Sequence, residues 1–142
     1  MVNIRVISLM LLIVCLVSLV GCSSGHESTV TANGILSVRG KPLSGAVITL
    51  EPMSGTTGPN ASVPVFGGKF SVPATADLHG GTYRVRVAMI PRELCKGLPA
   101  EQAALLPPAD TMIDPAFDAN SQLVCELKPD HSNSLKFEVE FL

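Results

Sequence analysis

Three histidines, four cysteines and a set of spaced aspartates are the side chains in this 142-residue chain best suited to hold a metal or attack a substrate. His26 lies in a Ser-Gly stretch, His79 in a Gly-rich turn and His131 in a Pro-Asp loop. That scatter offers no spacing suited to a metal, so the histidines are expected to be solvent-facing loop residues. Asp110, Asp114 and Asp118 recur at every fourth residue. Calcium, however, takes about six to eight oxygens from a sharply folded loop, and no D-x-D-x-D-G pattern supplies them. No metal and no cofactor are therefore expected. Arg84 and Arg86 share one parity of a strand-like run and are expected to pair with Glu138 or Glu140 on a solvated sheet face.

Of the cysteines, Cys15 and Cys22 lie in or beside an apolar N-terminal segment. A short head with one cation, Arg5, precedes aliphatic residues from Leu9 to Val20, interrupted only by Cys15 and Ser18. That run is shorter than the roughly 20 apolar residues a membrane span needs and has the length of a signal-peptide core. It stops at Leu19-Val20-Gly21-Cys22, followed by Ser23-Ser24-Gly25.

This stretch resembles the lipobox of bacterial lipoproteins. The resemblance implies cleavage between Gly21 and Cys22, with a diacylglycerol and further acyl chains, palmitate among them, on Cys22. Two or three chains give stable anchoring at about 0.8 kcal/mol per buried methylene. Serine at position 23 favours the outer over the inner membrane by the sorting rule of some Gram-negative bacteria. The expected organisation is a signal peptide over 1–21, a lipidated tether over 22–29 and one domain over 30–142. Cys95 and Cys125 then remain in a compartment that permits oxidation. A disulfide between them would close a loop of about 30 residues, worth roughly 3–4 kcal/mol, and would pin a long insertion to the penultimate strand. Two buried free thiols are the alternative.

Removing residues 1–21 leaves about 120 residues and, with Arg5 gone, takes the net charge from −2 to −3. No basic run grips a phosphate backbone, so nucleic acid is excluded as a partner. Tryptophan is absent and tyrosine occurs once, while 11 prolines punctuate the chain. Such a composition suits short strands joined by tight turns. Period-two alternation marks strands at Ala32 to Val38, Ala46 to Leu50, Val63 to Phe66, Lys69 to Val72, Tyr83 to Met89, Leu123 to Leu127 and Leu135 to Phe141. Gly67-Gly68 supplies the positive φ values of a tight hairpin turn, and Pro129 to Asn133 is expected to turn the last two strands into a hairpin. Residues 92–120 form a long insertion before those strands. In it Pro99 opens a short helix-like patch and Pro107-Pro108 ends it. The predicted fold is an all-β, seven-stranded (six to eight) antiparallel Greek-key sandwich.

The stretch from Gly34 to Pro52, with Gly40-Lys41-Pro42-Leu43 and Gly45-Ala46 at its centre, resembles the opening hairpin of the carboxypeptidase regulatory-like, or transthyretin-like, domain. Gly68-Lys69-Phe70 and Gly81-Thr82-Tyr83-Arg84-Val85-Arg86-Val87 are similar to two further strands of that family, and Pro115 to Val124 to the segment leading into its last hairpin. The enzyme sites of relatives are missing. The chain does not end in Tyr-Arg-Gly-Ser, it holds Tyr83 alone where an iron dioxygenase needs two tyrosines, and no histidine is followed three residues on by glutamate.

What the resemblances imply is a non-catalytic, lipid-anchored module of the cell envelope, structural or protein-binding. It would be held to the membrane through Cys22 and engage an envelope protein partner through the 53–62 loop and the 92–120 insertion. A carbohydrate- or small-ligand-binding surface is the alternative, with Phe66 and Phe117 as the aromatics in loop-like surroundings; an envelope enzyme is a second.

Overall fold

The computed structural model describes residues 29–142, so the signal-like segment, Gly21, Cys22 and His26 lie outside the described residues. From Thr31 onward the alternation becomes strands: β1 (Thr31–Val38), β2 (Lys41–Pro42), β3 (Ala46–Pro52), β4 (Ala61–Val65), β5 (Lys69–Val72), β6 (Gly81–Met89), β7 (Val124–Leu127) and β8 (Ser132–Val139). They form two four-stranded sheets. In the first, β1 pairs with β2 and β5 along one side and with β8 along the other; the second runs β4-β3-β6-β7.

The period of two decides which side chains meet between the sheets. Ala32, Leu36 and Val38 of β1 face Ile48 and Leu50 of β3 and Tyr83, Val85 and Val87 of β6 in one buried cluster. Phe70 of β5 and Phe137 of β8 flank β1 and stack with ring centroids 6.1 Å apart. They meet across Gly34, where a Cβ would overlap the Phe70 ring. The second glycine of interest, Gly45, carries the chain from one sheet to the other. Its φ is +74°, and Leu106 Cδ2 sits 2.5 Å from where a Cβ would stand, so a side chain there meets both backbone strain and the insertion.

Three pairings depart from the sequence expectation. The sandwich is not wholly antiparallel, because β1 and β8 run parallel from Thr31↔Ser132 to Val38↔Val139. Nor do β7 and β8 form a hairpin. β7 ends at the edge of one sheet beside β6, and the Pro129 to Asn133 turn lifts the chain into the other. Likewise the Gly67-Gly68 turn has both φ values positive, at 59° and 73°, but only Phe66↔Lys69 bridges it. β4 pairs with β3 and β5 with β1.

The crossing at Pro129 to Asn133 is held by one buried side chain. Asn133 Nδ2 donates to the carbonyls of Thr31 (3.0 Å), Lys128 (3.0 Å) and His131 (3.3 Å). Its Oδ1 accepts from Lys128 N–H at 2.9 Å. β8 is thereby started beside the first residue of β1, which is why the two run parallel. In the insertion, two 3₁₀ turns (Arg92–Cys95 and Pro115–Phe117) flank a four-residue helix, α1 (Ala100–Ala103), which follows Pro99 as expected.

Asn133→Ala strands four backbone groups and is expected to lower stability by about 2–3 kcal/mol. Asn133→Asp, which sets a carboxylate against three carbonyls, lowers it further. Urea unfolding of the two variants measures both.

Candidate functional site

The chemistry-bearing side chains of the described residues are distributed over the sandwich, and most serve the fold. His79 is half-buried, with Thr57 Oγ1 at 2.9 Å from Nδ1, and so is not the solvent-facing loop residue expected. Its backbone is clamped by Tyr83, whose hydroxyl donates to His79 O at 2.9 Å and accepts from His79 N–H at 3.1 Å. Burial pushes the Tyr83 hydroxyl pKa upward. His131 is exposed, with Nδ1 2.8 Å from Pro129 O.

The arginines do not reach Glu138 or Glu140, because β6 lies in one sheet and β8 in the other. Arg84 and Arg86 instead grip Glu51 on β3, Arg84 Nε at 2.9 Å and Arg86 Nη1 at 3.0 Å. Arg86 Nη2 also holds Asp118 Oδ1 at 2.9 Å, which ties the end of the insertion to the sheet. The hydrogen bonds from Arg84 and Arg86 hold the Glu51 carboxyl below its ordinary pKa. Buried Ser121 donates to Val85 O at 2.5 Å and accepts from Leu123 N–H, fixing the same segment. Asp114 caps the 3₁₀ turn through Ala116 N–H. The three evenly spaced aspartates therefore have separate surroundings, and no group of three metal-ligating side chains occurs among the described residues.

Cys95 and Cys125 are free thiols, not the expected disulfide. Cys125 pairs with Tyr83 at the start of β6, whereas Cys95 ends a 3₁₀ turn beyond Met89 at the far end of that strand. The intervening run of β6 spans about 20 Å, against Cα separations of about 4–7 Å in a disulfide. Parity placed Cys125 correctly, since it packs on the core beside Leu123. Burial pushes its thiol up to about 11.

The Gly40-Lys41-Pro42-Gly45 motif builds the most distinctive concavity. Arg39 and Gly40, with φ of 49° and 75°, form a tight turn that closes the Val38↔Lys41 pair. Glu138 steadies it by accepting from Gly40 N–H at 3.0 Å. Leu43, 3 % exposed, tucks beneath. Against this turn the insertion brings Leu105 and Pro107, and the chain end brings Phe141 and Leu142, enclosing a groove of about 620 Å³. An adjoining hollow of about 310 Å³ shares Phe141 and Leu142 and adds Pro108 and Met112. Leu105, Met112 and Leu142 are 58 %, 60 % and 78 % exposed, an apolar rim beside the Arg39 and Lys41 cations. The sequence pointed to the turn and the insertion, but it gave no sign that the C-terminal residues join them. That junction rests on Asp114 N–H donating to Glu140 O and Leu142 N–H donating to Met112 O, both at 3.0 Å.

A shallower groove of about 760 Å³ lies on the outer face of the β1 sheet, lined by Asn33, Ile35, Phe66, Lys69, Ser71 and Lys136 among others. No family model matches the chain, and no curated protein or solved structure matches it either.

Because Glu51 is depressed in the fold, its contribution is complete above the ordinary value of 4.5 and is lost as pH falls through the lower folded value. Glu51→Gln should therefore cost roughly 1 kcal/mol at pH 7. The deficit should shrink as pH is lowered below 4.5, as read from urea midpoints across the range.

Proposed function

We propose that this protein is a lipid-anchored, non-catalytic module of the cell envelope with a transthyretin-like sandwich that holds an envelope protein partner. The observation that carries the reading is the position of the groove relative to the chain's entry. Thr31, where β1 begins, lies beside the Lys128 to Asn133 turn, and the Arg39 turn lies at the other end of β1. The eight residues of β1 separate the two by about 26 Å. A tether lipidated at Cys22 would enter at the first end and present the apolar, cation-flanked groove away from the bilayer. Contiguous exposed apolar surface with a polar rim is the usual mark of a protein-binding patch. The non-catalytic reading is supported by the engagement of Glu51, Asp114 and Asp118 in ion pairs and a cap. The positive-φ turn at Arg39-Gly40, with Leu43 buried beneath it, supports the transthyretin-like assignment.

A second reading, a carbohydrate surface, is favoured by Phe66 beside the Asn33 and Ser71 side chains in the outer-face groove. Retention of the chain on immobilised envelope glycan, lost in Phe66→Ala, would choose it over a protein partner.

Intact mass of the chain extracted from membranes tests the anchor. The expected spectrum lacks residues 1–21 and carries a diacylglyceryl-type addition at Cys22. Under denaturing conditions two thiols alkylate without reduction; an unmodified Cys22 would overturn the anchor.

The groove is tested by Leu105→Glu. The side chain is mostly exposed, so stability should move by no more than about 0.5 kcal/mol. The same substitution should lose the crosslinked envelope partner captured by the unsubstituted chain. A partner retained at full yield would remove the groove from the reading.

A further inference from the structure

The β1 sheet has one edge that the chain begins to cover and then abandons. Leu36 N–H donates to Gly68 O, and Leu36 O accepts from Leu43 N–H. The even-numbered residues of β1 therefore turn their backbone groups toward β5 and β2, and the odd-numbered ones toward β8. With Gly34↔Leu135 and Leu36↔Phe137 as partners, β8 answers through Asn133, Leu135, Phe137 and Val139. The N–H and C=O groups of Ser132, Ser134, Lys136 and Glu138 then point to the opposite side, where no strand of the described residues pairs with them. One step further along the same edge Glu140 and Leu142 are paired, antiparallel, by Asp114 and Met112. Pro115 then starts a 3₁₀ turn and takes the chain away.

We infer that the free edge of β8 is a strand-addition site that takes an extended segment of another protein, running antiparallel to β8 in line with Met112 to Asp114 and setting an acidic residue opposite Lys136. Unpaired edges of this length are template surfaces, and main-chain bonds supply the affinity of such additions. The charge preference follows from the outer face. Lys69 and Lys136 both lie opposite Ile35, on neighbouring strands, and no carboxylate lines the groove they share.

The same geometry argues against a second copy as the occupant in the registers that use most of the edge. A two-fold pairing centred on Leu135 or Lys136 sets Lys136 diagonal to, or directly opposite, its own counterpart, and like charges so placed repel. Centring on Phe137 would match Lys136 with Glu138, but it lays Ser134 over Glu140 of the second copy, a place that Asp114 already fills. The edge is separate from the groove at the Arg39 turn, so the two stand or fall independently.

The test uses the full chain in detergent and two labelled, capped heptapeptides of alternating threonine and valine. They differ in one threonine, replaced by glutamate in the first and by lysine in the second. Fluorescence anisotropy should give about fivefold tighter binding for the glutamate peptide, and Lys136→Glu should invert the preference. Amide exchange at Ser134, Lys136 and Glu138 should slow on binding. Ser134→Pro deletes an N–H that faces the edge without touching the β1 ladder and should abolish binding, while Ser134→Thr keeps it. Equal affinity for the two peptides, or no binding at millimolar peptide, would overturn the site. A dimer of the chain that Ser134→Pro dissolves would overturn the choice of occupant. The charge inversion is read on Lys136→Glu alone, so the result holds even if the proline variant fails to fold.

Discussion

The side-chain amide of Asn133 joins the two ends of the fold, and the arrangement of the first sheet follows from it. By donating to Thr31 O and to two carbonyls of its own turn, it fixes where β8 begins. A strand that starts beside the start of β1 can only run alongside it, so the pair is parallel and β1 becomes the central strand of its sheet. A buried amide with this many partners is a high-stakes arrangement: fully satisfied it specifies one register, and with any partner missing it costs more than an apolar side chain in its place. Register matters because a slip of one residue would turn Leu135, Phe137 and Val139 to solvent and Lys136 and Glu138 into the core.

From that register the far end is built. β8 delivers Glu138 to the Gly40 N–H and, three residues later, the chain sets Phe141 against Ile113. The turn, the insertion and the last residues thus share one set of contacts, and Leu106 against Gly45 closes the seam. The opposite end is closed differently, by Leu78, whose carbonyl accepts from Val30 N–H, and by Tyr83 gripping the His79 backbone. A groove with exposed leucines therefore sits at one end of the sandwich, while the other is sealed by hydrogen bonds around the chain's entry.

The strands were legible because alternation reports which side chains face inward, and Tyr83, Val85 and Val87 are fully buried in the predicted phase. Pairing partners were not legible for the same reason: period two identifies a face without naming a neighbour. The composition of Pro129 to Asn133 suits a hairpin and a crossing between sheets equally well, and only the Asn133 bonds separate the two. The Arg84 and Arg86 partners were misplaced by that error, since assigning β8 to the neighbourhood of β6 brings Glu138 close and leaves Glu51 unnoticed. The cysteine pair failed on length. Loop closure makes a bridge favourable whatever lies between the cysteines, but β6 is an extended strand and keeps its ends apart. At the candidate site, the turn and insertion were readable from glycine, proline and loop length, whereas the C-terminal residues lacked any mark beyond their own alternation.

The two surfaces follow from one feature, the place where the insertion leaves the sheet. Met112 to Asp114 adds three residues of strand beside the end of β8, enough to lock Phe141 and Leu142 into the groove wall. Pro115 has no N–H to continue the ladder and opens a 3₁₀ turn. Asp118 and Ser121 then commit the segment to the other sheet, through Arg86 and the Val85 carbonyl. The bonds that complete the second sheet are thus what deprive the first of a full edge strand. Extending Met112 to Asp114 along β8 would require giving up the Arg86 ion pair and the Ser121 bond. The open edge is in this sense a consequence of the fold's own hydrogen-bond economy, held in place by interactions on the opposite sheet.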